Sequence, residues 1–212
     1  MYRARLAAIA VCVAALLAGC GGGAPSVDLP AVREQARQAY DAGDYARAAS
    51  LLGTAVAVAP DDADTHLQRG RAFAALADWD NAAAEFREAI RLEPDNANAH
   101  SNLGGVYYEQ GRFAEAEQEF RKALTLEPTD AVFHYNLGAA YAQQNLLNEA
   151  LAEFLSARQF DPNLAEAYLG MGSIYAIQGK AQEAREAFQK VLELSDNPAV
   201  RAEAERQLQM LR

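Results

Sequence analysis

Beyond residue 20, this 212-residue sequence contains no cysteine; its only two are Cys12 and Cys20. A disulfide framework or a thiolate metal site is therefore excluded from the body of the chain, whichever compartment holds it. Aromatic residues are scarce too, at 8 %, and alanine supplies much of the hydrophobic half of the composition. Such an alanine-rich, glycine-punctuated chain favours helix over sheet. No apolar run is long enough to span a bilayer. The longest covers about a dozen residues, Leu6 to Leu17, and a spanning helix needs about 20. Basic charge is in short supply. With 19 lysines and arginines against 29 acids, the formal charge is −10, which argues against a nucleic-acid partner, since that needs a basic face to displace counterions.

The first thirty residues have an order of their own. Arg3 and Arg5 make a positive start, the apolar run follows, and Ala18 and Gly19 are small. This is the layout of a secretory signal peptide. Leu17-Ala18-Gly19-Cys20 resembles the lipobox of bacterial lipoproteins. That resemblance implies cleavage after residue 19 and acylation of Cys20, which becomes the lipidated N-terminus. Several acyl chains give the stable anchoring that one chain does not. Residues 20–30 are then expected to be the acylated cysteine and a flexible tether. Ten residues reach at most about 35 Å, so the body is expected to stay near the membrane. Gly21, rather than aspartate, follows the cysteine. The resemblance implies the outer membrane in a two-membrane host, and otherwise the outer face of the plasma membrane.

After the tether the chain is periodic. Pro60, Pro94, Pro128 and Pro162 stand 34 residues apart. Gly70, Gly104, Gly138 and Gly172 keep the same step, as do Ala48, Ala82, Ala116, Ala150 and Ala184, and Phe86, Phe120, Phe154 and Phe188. Within residues 97–128, Leu103 and Tyr107 share one helical face. Past Gly111, Phe113, Ala116, Phe120, Ala123 and Leu124 share another. Gly104 and Ala116 are small where two helices must approach, and Pro128 stops the second. Each unit predicts a helix hairpin that must stack on its neighbours.

This pattern resembles the tetratricopeptide repeat. The resemblance implies an all-α, right-handed solenoid of five hairpins, residues 29–62, 63–96, 97–130, 131–164 and 165–198. Residues 199–212 read as a capping helix over the last open face. Two departures carry expectations. The first unit has Ala36 where the others have the packing glycine. The hairpin turns hold Gly43, Gly111 and Gly179, but Ala77 in the second unit and Asn145 in the fourth. Asparagine tolerates the left-handed conformation; alanine tolerates it less, so the second turn is expected to be altered or strained.

Residues that suggest chemistry have structural explanations. His66, His100 and His134 are also 34 apart, so they occupy successive steps about 8–10 Å apart rather than surrounding one metal ion. Gly104, Gly105 and Gly138 follow no strand and form no phosphate loop; helix packing accounts for them. No serine stands in a nucleophile elbow, and carboxylates such as Glu115, Glu117 and Glu119 are expected at exposed helix positions. The sequence predicts no catalytic residue, no metal and no cofactor.

What remains is a groove. In tetratricopeptide repeats the first helices line the concave wall. Carried over by unit position, the resemblance places Leu67, Arg71, Asn102, Tyr108, Tyr135, Asn136, Leu169 and Ile177 in its middle. Arg33, Arg37 and Tyr40 stand at its membrane-proximal entrance. Asparagines can pair with a peptide backbone, and tyrosines give contact area at low entropic cost. A protein or peptide partner is the expectation, in a membrane-anchored, non-enzymatic adaptor of the cell envelope. The resemblance extends to lipoproteins that serve envelope assembly, pilus-secretin placement or recruitment of cell-wall hydrolases. The alternatives are a self-associating spacer and a non-catalytic auxiliary subunit of an envelope enzyme.

Overall fold

The computed structural model describes residues 27–211. Cys20, the signal segment and most of the tether lie outside the described residues. Those described form eleven α-helices and no strand: α1 Leu29–Asp41, α2 Tyr45–Val58, α3 Ala63–Ala75, α4 Trp79–Leu92, α5 Ala97–Glu109, α6 Phe113–Leu126, α7 Ala131–Gln143, α8 Leu147–Phe160, α9 Ala165–Ile177, α10 Ala181–Leu194 and α11 Pro198–Met210. None of them is long and apolar enough to cross a membrane. The helices start earlier than the tether was expected to end. Asp28 caps α1, its side chain accepting from the Ala31 amide, and Leu29 and Pro30 already form the first turn. Proline suits that place because the first-turn amides have no helical partner.

Each hairpin is closed by the same turn. The αL residue is Gly43, Ala77, Gly111, Asn145 or Gly179. In the third unit the Arg112 amide reaches the Tyr107 carbonyl at 2.8 Å and Gly111 reaches Tyr108 at 2.9 Å, a Schellman closure. Ala77 keeps this turn with φ at 55°, and its amide and that of Asp78 make the same two bonds. The second turn is thus strained rather than altered. The second helices of the first four units end in a residue that leaves the helical region before proline, such as Glu93 or Glu127, since a following proline disfavours the α conformation.

Packing inside each hairpin depends on a glycine and a phenylalanine sixteen residues apart. A Cβ on Gly70, Gly104, Gly138 or Gly172 would stand 2.6–2.8 Å from the ring of Phe86, Phe120, Phe154 or Phe188 respectively. Those rings are almost wholly buried, each contributing about 1.5–3 kcal/mol of transfer free energy. In the first unit the equivalent pair is Ala36 and Leu52, both buried. A smaller partner accompanies the larger small residue, which explains why the missing glycine is tolerated.

Neighbouring hairpins stack through their second and first helices, α2 on α3 through to α10 on α11. First helices also touch each other across the repeat: α3 meets α5, α5 meets α7, α7 meets α9, and α9 meets α11. The second helices show no comparable pairing, so the first helices form the tighter, concave wall. Polar straps reinforce the stack. Arg87 donates to the Tyr107 hydroxyl at 3.1 Å, and Arg121 donates to that of Tyr141 at 2.6 Å.

Each histidine is part of such a strap. His66, His100 and His134 place Nδ1 2.6–2.7 Å from Glu85, Glu119 and Glu153, and Nε2 3.0–3.1 Å from the carbonyls of Pro60, Pro94 and Pro128. In the fifth unit Tyr168 donates to the Pro162 carbonyl instead. Helix α11 closes the last face, its Arg201 donating to the Leu192 and Ser195 carbonyls.

Candidate functional site

Two depressions on the concave wall are formed by the described residues. The first, about 250 Å³, lies between α1 and α3 and is lined by Arg37, Tyr40, Leu67, Gln68 and Arg71. The second, about 440 Å³, runs from α3 across α5 to α7. Arg71 and Tyr40 border it on one side, Asn98, Asn102, Gly105 and Glu109 form its floor, and Val132 and Asn136 border the other. Four of the residues expected in the groove, Tyr40, Arg71, Asn102 and Asn136, are thus brought to one place. Helical periodicity accounts for the arrangement. Asn98, Asn102, Gly105 and Glu109 lie three or four residues apart and so share one face of α5.

Other expected groove residues have other duties. Arg33 donates to Asp62 at 2.6 Å, the residue that caps α3 through the Thr65 amide. It ties α1 to the start of the next hairpin rather than standing free at the entrance. Arg37 is exposed but flanked by Glu34 at 2.7 Å and Asp41 at 3.0 Å. Hydrogen bonding to Arg37 is the first reason that the Glu34 carboxyl sits below the ordinary carboxylate range. Tyr108 packs edge-on against Phe113 at 5.4 Å, and Tyr135 lies tilted against Phe154 at 5.9 Å. Burial pushes the Tyr135 phenol up, with Tyr108 and Glu166 adding to it. Both tyrosines are half-buried and pack on the main core. Leu169 packs on the C-terminal core. Ile177 is 65 % exposed, the least covered of the expected apolar positions.

The groove's charges are unevenly engaged. Arg71 lies with its guanidinium 5.6 Å from the Tyr40 ring centre, a cation–π contact, and Tyr40 is braced edge-on by Tyr45 at 5.0 Å. Asn136 makes one long bond, 3.4 Å to the Ser101 hydroxyl, and so retains hydrogen-bonding capacity.

Sequence reasoning missed Trp79, Gly105, Glu109 and Val132. Gly105 and Glu109 occupy the unit positions of Arg71 and Ile177, so the repeat register held the signal. Trp79 comes from α4, and no rule about first helices would find it. Gly105 also corrects an expectation. Helix packing accounts for Gly104 and Gly138, but a Cβ on Gly105 would meet nothing within 4 Å.

With this geometry in hand, the comparisons with known proteins are consistent. Tetratricopeptide repeat profiles match residues 33–76 and 67–131, residues 107–174, and residues 165–198. No protein of curated function matches. Among solved structures, MamA from Desulfovibrio magneticus RS-1 is similar at 23 % identity with a TM-score of 0.72, over 81 % of this chain and 97 % of that one. PilF from Pseudomonas aeruginosa is similar at 22 % identity and a TM-score of 0.73, over 86 % and 88 %. YrrB, described as a tetratricopeptide repeat protein with an unusual peptide-binding site, is similar at 21 % identity and a TM-score of 0.64, over 84 % and 92 %.

Proposed function

The chain belongs to the tetratricopeptide repeat family, and from that premise we propose that it is a membrane-anchored, non-enzymatic adaptor. Its concave groove holds a protein or peptide partner near an envelope membrane. The observation that carries the reading is the second depression, where Asn98, Asn102 and Asn136 line one concavity with Arg71 and Glu109. Groups of this kind orient a polar main chain and its side chains. That YrrB is described as having a peptide-binding site supports a peptide as the occupant. The anchor rests on the Leu17-Ala18-Gly19-Cys20 tetrapeptide behind its apolar run, with Cys20 as the lipidated residue.

Crosslinking in host membranes tests the adaptor reading, comparing wild type with Asn102→Ala/Asn136→Ala. These positions are better suited than Tyr108 and Tyr135, which pack on the core. A partner held by wild type and lost by the helical double variant is the expected result. Recovery of only the chain itself, equally in both proteins, would favour the self-associating spacer. For the anchor, Cys20→Ala is expected to leave an unprocessed, unacylated precursor, and normal processing of that variant would rule the lipoprotein reading out.

A further inference from the structure

Glycine weakens a helix relative to alanine, so a glycine in mid-helix calls for a reason. Gly70, Gly104, Gly138 and Gly172 have one, since a Cβ on each would collide with a phenylalanine ring; Gly170 has the same reason against Phe154. Gly105 has none among the described residues: open space surrounds its missing Cβ. It lies on the floor of the second depression, one turn before Glu109 on the same face of α5.

Two more observations converge there. Arg71 and Glu109 are the charged side chains of that depression, and both are exposed. Among the described residues neither makes an ion pair, although arginines 33, 37, 69, 91, 112, 121 and 206 all do. They also leave each other unpaired, so the depression presents one cation and one anion at separate points. The same depression is lined by the carboxamides of Asn98, Asn102 and Asn136, each able to donate and to accept.

We propose that this depression takes an extended peptide segment whose main chain crosses α5 over Gly105, with an acidic side chain turned to Arg71 and a basic one to Glu109. The inference rests on the adaptor reading above and adds the occupant's conformation, charge and direction. Carboxamides can serve an extended segment because its backbone amides and carbonyls are free, whereas a helix satisfies them internally. The absent Cβ lets a main chain approach closely. The opposed charges fix the direction, since a reversed segment would set like charges together.

The test uses full-length protein in detergent and a display library of short random peptides. Peptides selected by wild type are expected to combine an acidic and a basic residue. They should bind Arg71→Glu/Glu109→Arg about tenfold more weakly and regain affinity when their own two charges are exchanged. Gly105→Leu is expected to lose about as much, with helix content by circular dichroism unchanged. A gentler variant, Gly105→Ala, should weaken binding while leaving the helix intact. If selected peptides bind all these variants as they bind wild type, the inference fails and the adaptor reading stands. If folded wild type selects no peptide, the groove reading fails with it.

Discussion

Gly104 and Phe120 fit together only because the glycine has no side chain: a Cβ there would stand 2.7 Å from the ring. The next residue, Gly105, faces open space. Two adjacent glycines therefore answer the same substitution in opposite ways. Gly104→Ala is expected to cost about 1–3 kcal/mol through overpacking. Gly105→Ala should gain about 0.5–1 kcal/mol from better helix propensity. Paired urea denaturation curves would measure both, and equal effects would contradict this account of the hairpin core.

Ala77 occupies the left-handed region at φ 55° because the hairpin turn demands it. A Cβ there is disfavoured by roughly 1–2 kcal/mol, and glycine's greater unfolded-state freedom offsets part of what its replacement would recover. Ala77→Gly should therefore stabilise the protein by about 0.5–1 kcal/mol. Asn145→Gly, at φ 61°, should gain less, because asparagine already tolerates this conformation. Thermal melting of the two variants side by side would check the ranking, and a destabilised Ala77→Gly would refute it.

His100 lies between Glu119 at 2.7 Å and the Pro94 carbonyl at 3.0 Å. Its side chain and that of Glu119 are largely buried, so this carboxylate is not at the exposed helix position expected of it. His100→Ala leaves both acceptors short of a donor, a loss of about 1–3 kcal/mol. The retained Lys122, 2.9 Å from the other carboxylate oxygen, keeps the cost from rising further. Hydrogen exchange should show faster opening where the third hairpin meets the second. Unchanged exchange there would mean that the strap contributes nothing to the stacking.

Tyr135 ionises above the ordinary phenol value because burial disfavours its phenolate, with Tyr108 and Glu166 acting in the same direction. Tyr141 is raised as well, again mainly by burial and partly opposed by Arg121. A group whose folded value lies above its unfolded one binds its proton more tightly when folded. The stability it contributes is complete below the unfolded phenol value, about 10, and is lost as pH rises from there through the folded value. Ultraviolet titration should thus show tyrosines ionising late, and one such component should vanish in Tyr135→Phe. A variant with an unchanged titration curve would argue that the phenol is solvated.

The hairpins, their boundaries near each proline and the turn positions were legible because a 34-residue period repeats the same local physics in every unit. Glycine opposite phenylalanine, an αL residue between helices and proline after the second helix are all local patterns. The first helices' concave role was implied by the resemblance to tetratricopeptide repeats. Less was legible where one position serves different ends in different units. Arg33 and Arg71 both stand on first helices, yet Arg33 pairs with the capping Asp62, while Arg71 makes no ion pair among the described residues and lies over the Tyr40 ring.

By itself, then, the sequence determined the class of fold and the number of hairpins. It did so because helical periodicity and repeat spacing depend on neighbours in the chain. Tertiary structure alone decided which groove residues are engaged elsewhere and which are available. Whether Tyr135 packs on Phe154, or whether a Cβ on Gly105 meets anything, depends on the approach of other helices. The same residue type reads as core filler at Gly104 and as groove floor at Gly105, and only the position of Phe120 tells them apart.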